Sequence, residues 1–92
     1  MLREEQIDLR RERAKAARFR IGKLDGKGYF GTYSVTNPVS RGQYKVTVRG
    51  FDVGDNRCSC PDYKSNTLGT CKHIEAVIAH IAAEAPANVR KR

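Results

Sequence analysis

The sequence predicts a small α+β domain, in which a short antiparallel sheet packs on a C-terminal helix and a helical arm precedes both. Two runs of alternating apolar and polar residues predict the strands, and one apolar stripe at helical spacing predicts the C-terminal helix. A run of strong helix formers without Gly or Pro predicts the arm. With 92 residues, the chain has room for one such domain.

The composition limits how this domain can be stabilised and what it can bind. Hydrophobic residues make up 39% of the chain and there is no Trp, so the core is thin for a chain of this size. Small domains of this kind often depend on a metal or on disulfides. The formal net charge is +8, which attracts polyanions, nucleic acid above all, although such a charge can also serve solubility alone.

Membrane and export signals are missing from the sequence. No apolar run is long enough to cross a bilayer, and the N-terminus carries charges from Arg3 onward without an apolar signal region. We therefore expect an intracellular protein, either cytoplasmic or in the nucleoid or nucleus, without membrane contact.

The first element is a basic helical arm over residues 1–18. Its apolar positions Leu2, Leu9 and Ala16 recur every seven residues and form only a narrow stripe, so helix propensity exceeds amphipathicity. A short strand can begin at Phe19. The glycines that follow predict a turn over residues 22–28.

The middle of the chain predicts two or three antiparallel strands. In residues 32–36 the apolar side consists of Tyr33 and Val35, and in residues 44–49 it consists of Tyr44, Val46 and Val48. A loop over residues 37–42 connects the two runs. The turn signal at residues 54–56 then leads into a short returning strand over residues 57–60.

The last element is an apolar helix that ends at Pro86 and leaves a basic tail over residues 86–92. We expect its stripe to pack on the apolar side of the strands, because neither has another large surface to bury against. One domain then covers residues 19–85, with its core at 43–84. The stripe comprises Ile74, Val77, Ile78, Ile81, Ala82 and Ala85.

All three cysteines lie close together in the sequence and are followed by a histidine. Cys58 and Cys60 project from one face of a strand, and Cys71 can lie just before the last helix with His73 in its first turn. Thr70 or Cys71 would then be near the N-cap. Two ligands from a strand and two from a helix entrance can close a tetrahedron around zinc.

The sequence argues against two other interpretations of the cysteines. A disulfide with one spare thiol conflicts with the absence of a secretion signal, and a bridge from Cys58 to Cys60 would be strained. An interpretation as ordinary buried cysteines conflicts with the polar residues around them in the sequence. The sequence therefore predicts one structural Zn²⁺ held by Cys58, Cys60, Cys71 and His73.

The order Cys-x-Cys, loop, Cys-x-His and apolar helix resembles the SWIM zinc finger, which is found in Swi/Snf-type helicases and transposase-like proteins. The four ligand positions carry the resemblance, supported by residues 60–63 (CPDY) and 71–74 (CKHI). It covers about residues 43–84. The resemblance implies a ββα-like zinc module that binds DNA or another protein, and it implies no catalysis.

Two features of the last helix resemble parts of other zinc sites, but neither fits the sequence as well as a structural zinc does. His73 and Glu75 form a His-x-Glu, which zinc deaminases use, but there the Cys-x-x-Cys follows that motif. Four protein ligands also leave no zinc position for a reacting water, so we expect a protein that is not an enzyme and has no small-molecule substrate. His80 is two turns from His73, and we expect it to be a surface or half-buried histidine.

Basic residues near the strands and the cysteines predict phosphate contacts. The candidates are Lys45 and Arg49 on the outward side of a strand, together with Arg57 and Lys64 around the cysteine loop. Base stacking by Tyr63 stays open. The leading function is a non-enzymatic zinc module that binds nucleic acid, with DNA favoured. The alternative is an adaptor for a protein partner, without nucleic-acid contact.

Overall fold

The computed structural model describes residues 2–26 and 28–85, so the expected basic tail lies outside the described residues. The four strands form one antiparallel sheet in which strands that follow each other along the chain are paired, which confirms the α+β class. None of the helices in the described part of the chain combines the length and apolarity that a bilayer crossing requires. The elements are α1 (Arg3–Ala17), β1 (Arg20–Asp25), β2 (Gly31–Thr36), β3 (Gln43–Val48), β4 (Arg57–Cys58), α2 (Pro61–Ser65) and α3 (Lys72–Glu84).

The core lies between one face of the sheet and α3. Alternation along β2 and β3 directs one set of side chains to this face, and the stripe of α3 covers them, as expected. Two residues of the stripe, Ile78 and Ala82, are only half-buried, and Ile78 lies toward α1 and β1. The buried side chains of this core include Tyr33, Val35, Val46, Val48, Ile74, Val77 and Ile81.

The sheet has four strands where two or three were predicted, because β1 runs through the first glycine. Ile21 pairs with Val35, and Gly22 pairs with Ser34 in the middle of the strand. The predicted turn over 22–28 is therefore wrong at its start. The chain reverses only after Asp25, where Gly26 has a φ of 102° that residues with a side chain rarely adopt.

The helix α1 packs along α3. The seven-residue stripe faces water, with Leu2 67% and Leu9 40% exposed. The buried side chains of α1 are instead those of Ile7 and Arg10. The face that meets the rest of the protein therefore contains an arginine, which apolar periodicity does not reveal.

Candidate metal centre

Cys58, Cys60, Cys71 and His73 come together beside the core, as the sequence predicted. Their four ligand atoms all lie within 4.8 Å of one another, and all four residues are buried. Within residues 2–26 and 28–85, this is the one group of three or more Cys, His, Asp or Glu side chains arranged in this way.

The strand β4 and the start of α2 position the first two of these side chains. Cys58 is held in the sheet, where it pairs with Val46. Cys60 lies beyond the strand and is the N-cap of α2, where its Sγ accepts the Tyr63 N–H at 3.4 Å. The predicted strand over residues 57–60 was thus wrong at its end, because β4 ends at Cys58. The predicted loop after Cys60 begins with the short helix α2. Pro61 at the first position of α2 suits that start.

The second pair of candidate ligands lies where the spacing placed it. Cys71 is the N-cap of α3 in an extended conformation, and His73 is in the first turn of the helix. A regular helix would direct residues two apart to nearly opposite sides, but the extended backbone at Cys71 turns its thiol toward the imidazole.

The distances suit tetrahedral zinc. His73 Nδ1 lies 3.8 Å from Cys58 Sγ and 3.9 Å from Cys71 Sγ. Zinc bonds of about 2.3 Å to sulfur and about 2.0 Å to nitrogen separate the two atoms by roughly 3.5 Å at tetrahedral angles. The four residues are therefore positioned to hold one zinc ion, with Nδ1 of the imidazole directed at it.

The chemistry of the thiols also fits a cation. Burial raises the pKa of Cys60, and hydrogen bonding with Cys58 together with burial raises the pKa of Cys71. Neutral thiols are thus favoured until a divalent cation displaces their protons. Two backbone N–H groups are ready to share the resulting thiolate charge: that of Tyr63 on Cys60 Sγ, and that of Cys60 on Cys58 Sγ at 3.5 Å.

Aromatic rings on both sides hold the imidazole. The His73 ring lies 4.5 Å from the Tyr44 ring and 5.0 Å from the Phe19 ring, measured between centroids. Tyr44 was expected in the core. The role of Phe19 was not predicted, since the residue follows α1 and no local pattern links it to the cysteines.

Tyr63 supports the turn that leads into β4. Its hydroxyl donates to the carbonyl oxygen of Asn56 at 3.0 Å. The buried Asn56 side chain in turn accepts the Arg49 N–H at 2.8 Å and donates to the Gly50 carbonyl at 3.0 Å. The tyrosine thus links α2 to the turn, and this contact gives it a structural role.

Two arginines of α1 bind carboxylates beside the candidate ligands. Arg10 holds Asp62 with two parallel bonds, Nε to Oδ2 at 2.9 Å and Nη2 to Oδ1 at 2.8 Å, and lowers the pKa of that carboxyl. Arg11 donates to Glu75 at 2.7 Å, and Thr70 donates to the other oxygen of the same carboxylate at 2.6 Å. These contacts were missed because the partners are 52 and 64 residues apart.

His80 lies apart from the cluster and is half-buried, which agrees with its expected position. Its Nε2 is 3.9 Å from a Glu84 carboxylate oxygen, and its ring faces Tyr33 at 6.4 Å. Glu75 is in the first turn of α3, where it is buried against Arg11.

Two of the four predicted phosphate-binding residues share one surface. Lys45 and Arg57 are exposed on the face of the sheet opposite α3, which we call the open face. Arg49 lies one residue beyond β3 and is exposed. The next residue, Gly50, has no room for a side chain, because an added Cβ would overlap the Asp55 carboxylate. Lys64 is exposed on α2, outside the sheet.

The open face has two further cations that the sequence did not indicate. Arg20 pairs with Thr36 on the outward side of β1, and together with Arg41 it lines a shallow depression at that end of the sheet. Arg20 was missed because β1 was not predicted to extend along β2. Hydroxyl groups occupy most positions between the cations, namely those of Thr32, Ser34, Thr36, Thr47 and Ser59, and the exposed side chain of Leu24 borders the same face beside Ser34 and Lys45.

Comparison with known proteins supports the metal centre. The family model of the SWIM zinc finger matches residues 44–82, a segment that contains all four candidate ligands and confirms the resemblance seen in the sequence. No curated protein and no solved structure matches the chain.

Proposed function

We propose, from the SWIM zinc finger matched at residues 44–82, that the protein is a non-enzymatic zinc module that binds nucleic acid on its open face. In this proposal Cys58, Cys60, Cys71 and His73 are the ligands of a structural zinc. Four buried protein ligands complete the coordination of the ion and leave no position for a substrate or a reacting water, which supports a structural role. Reduced thiols of this kind belong to an intracellular compartment.

The open face is the observation that carries the nucleic-acid proposal. It presents the cations of Arg20, Arg41, Lys45 and Arg57 among hydroxyl groups, and in the described part of the chain both long helices pack on its other side. Arginine, lysine and hydroxyl side chains are the usual donors to phosphate oxygens. One carboxylate, that of Asp25, is at an outward position at the far end of β1.

The chemistry of this face predicts how it binds. The aromatic residues of β2 and β3, Tyr33 and Tyr44, pack against the core, so we expect base stacking to contribute little. Contacts to phosphate then dominate. A zinc ion with three thiolates lowers the formal charge of +8 by only one unit, so binding should be weakly selective for sequence and steeply dependent on salt.

The test is a titration of the zinc-loaded full chain against labelled duplex and single-stranded DNA at two salt concentrations. Lys45→Gln with Arg57→Gln removes two cations from the open face. Lys15→Gln with Arg18→Gln removes the same charge from α1 and the residue that follows it. Each lost phosphate contact reduces the slope of log affinity against log salt by about 0.9 on duplex DNA, so the first pair should reduce it by nearly 2.

Two results would overturn the proposal. One is the absence of DNA and RNA binding at low salt by the zinc-loaded protein, which would leave the protein-adaptor alternative. The other is an equal loss of affinity in both double variants, which would show that total charge matters and the open face does not. A preference for single-stranded DNA over duplex DNA would change the type of nucleic acid that is bound and leave the open face as the binding surface.

A further inference from the structure

A groove with an apolar floor lies between α1 and α3, on the side of the molecule away from the open face. The C-terminal half of α1, the segment leading into β1 and the middle of α3 form its walls, and its volume is about 480 Å³. Small side chains on both helices give it depth. The floor and walls comprise Ala14, Phe19, Ile21, Ala76, Ile78 and Ala79.

Cations line the rim of this groove. Lys15 is paired only with Glu12, at 3.7 Å between two well-exposed side chains, and Arg18 forms no ion pair with any residue the structure describes. The one carboxylate in the groove is that of Glu75, which is buried and already held by Arg11 and Thr70. The free charge at the rim is therefore positive.

The nature of the floor argues against a small molecule as the occupant. Specific small-molecule sites combine apolar walls with a few converging polar groups that can bind the ligand, whereas here the buried polar group of the groove, Glu75, is already held by Arg11 and Thr70. Apolar side chains of a peptide need no polar partner on the floor. Apolar grooves on protein surfaces commonly bind the apolar side chains of an amphipathic helix.

Charge then selects among peptides. Residues 86–92 of the chain itself include Arg90, Lys91 and Arg92, which have the same sign as the rim. A second copy offers the acidic residues Glu5, Asp8 and Glu12 around Leu9, but its net charge of +8 opposes the approach of the two molecules. An acidic segment of another protein is attracted.

We propose that this groove binds an acidic, amphipathic segment of a partner protein, with apolar side chains on the floor and carboxylates against Lys15 and Arg18. The surface is separate from the open face, so a partner and nucleic acid can be bound at the same time. This goes beyond nucleic-acid binding, and either property can fail without the other.

The probe is a synthetic peptide with leucines at positions i, i+3, i+4 and i+7 and glutamates between them, titrated into ¹⁵N-labelled, zinc-loaded full chain. We expect saturable shifts confined to residues around the groove. Lys15→Gln with Arg18→Gln should weaken binding about tenfold, since two exposed charge pairs are lost. Ala79→Gln, at an exposed position of α3, should weaken it by filling the groove without a change of charge.

The matched controls are Lys45→Gln with Arg57→Gln, which should bind the peptide normally, and a peptide with lysines in place of the glutamates, which should not bind. Equal binding of the lysine peptide, shifts spread over the open face, or no saturable shifts would each overturn the proposal. So would groove shifts that depend on protein concentration without peptide, or NOEs from residues 86–92 to the groove, because these identify a second copy or the chain's own tail as the occupant.

Discussion

The segment that carries the candidate ligands and the helix α1 are attached to the same core by different means. Around the ligands, apolar side chains such as Val77 and Ile81 are at most 1% exposed, and four ligand atoms converge on one point. The helix α1 contributes one buried apolar side chain, Ile7, and is otherwise held by polar contacts: the ion pairs of Arg10 and Arg11, and a bond from the Arg3 guanidinium to the Leu68 carbonyl.

The difference suggests an order of dependence between the two regions. A metal centre is cooperative, because each ligand needs the other three, so its loss affects every element that it joins. Ion pairs act one by one and retain part of their hydration. The two carboxylates that bind the arginines of α1 each lie two residues after a candidate ligand: Asp62 follows Cys60, and Glu75 follows His73. The helix should therefore need the metal centre, whereas the metal centre should not need the helix.

Removing zinc should have the largest effect. Structural zinc contributes an apparent 10–16 kcal/mol in zinc-finger peptides, more than this thin core can replace, so chelation or Cys71→Ser should unfold the sheet, α3 and the docking of α1 together. Dispersion of the amide NMR signals over residues 43–84 and over α1 measures this.

His80→Ala is the control for zinc removal, and it should keep both zinc and fold, because His80 lies outside the ligand cluster. Retained dispersion over residues 43–84 after chelation would contradict the assigned order, since the core would then be stable alone.

Truncation of the core should have the next largest effect. Ile81→Ala should lower the free energy of unfolding by about 2–5 kcal/mol, because the side chain is fully enclosed. Ile78→Ala removes the same atoms from a half-buried position and should cost clearly less. Denaturant unfolding of the zinc-loaded variants measures both, and equal costs would show that the groove beside Ile78 is closed in solution.

Releasing α1 should have the smallest effect. Arg10→Ala removes two charge-assisted bonds to Asp62 and should cost about 1–3 kcal/mol, seen as faster amide exchange in α1 with zinc content unchanged. Lys15→Ala removes an exposed pair on the same helix and should change stability by less than about 0.5 kcal/mol. Loss of zinc from the Arg10→Ala protein would make α1 part of the metal centre and reverse the order of dependence.

The sequence by itself determined the features that depend on neighbours along the chain. Period-two alternation identified β2 and β3, helical spacing identified α3, and the close spacing of three cysteines and His73 identified the metal centre. These signals are readable because the residues involved are separated by a few positions, so local geometry alone decides which face each side chain occupies.

Only the tertiary structure decided how the distant parts meet. Gly22 became the middle of β1 because pairing with β2 outweighed the preference of glycine for turns, and this pairing brought Arg20 to the same face as Lys45 and Arg57. The burial of Arg10 likewise depends on Asp62, 52 residues away. Such contacts follow from the path of the whole backbone, and local propensity contains no information about which distant residue a side chain will reach.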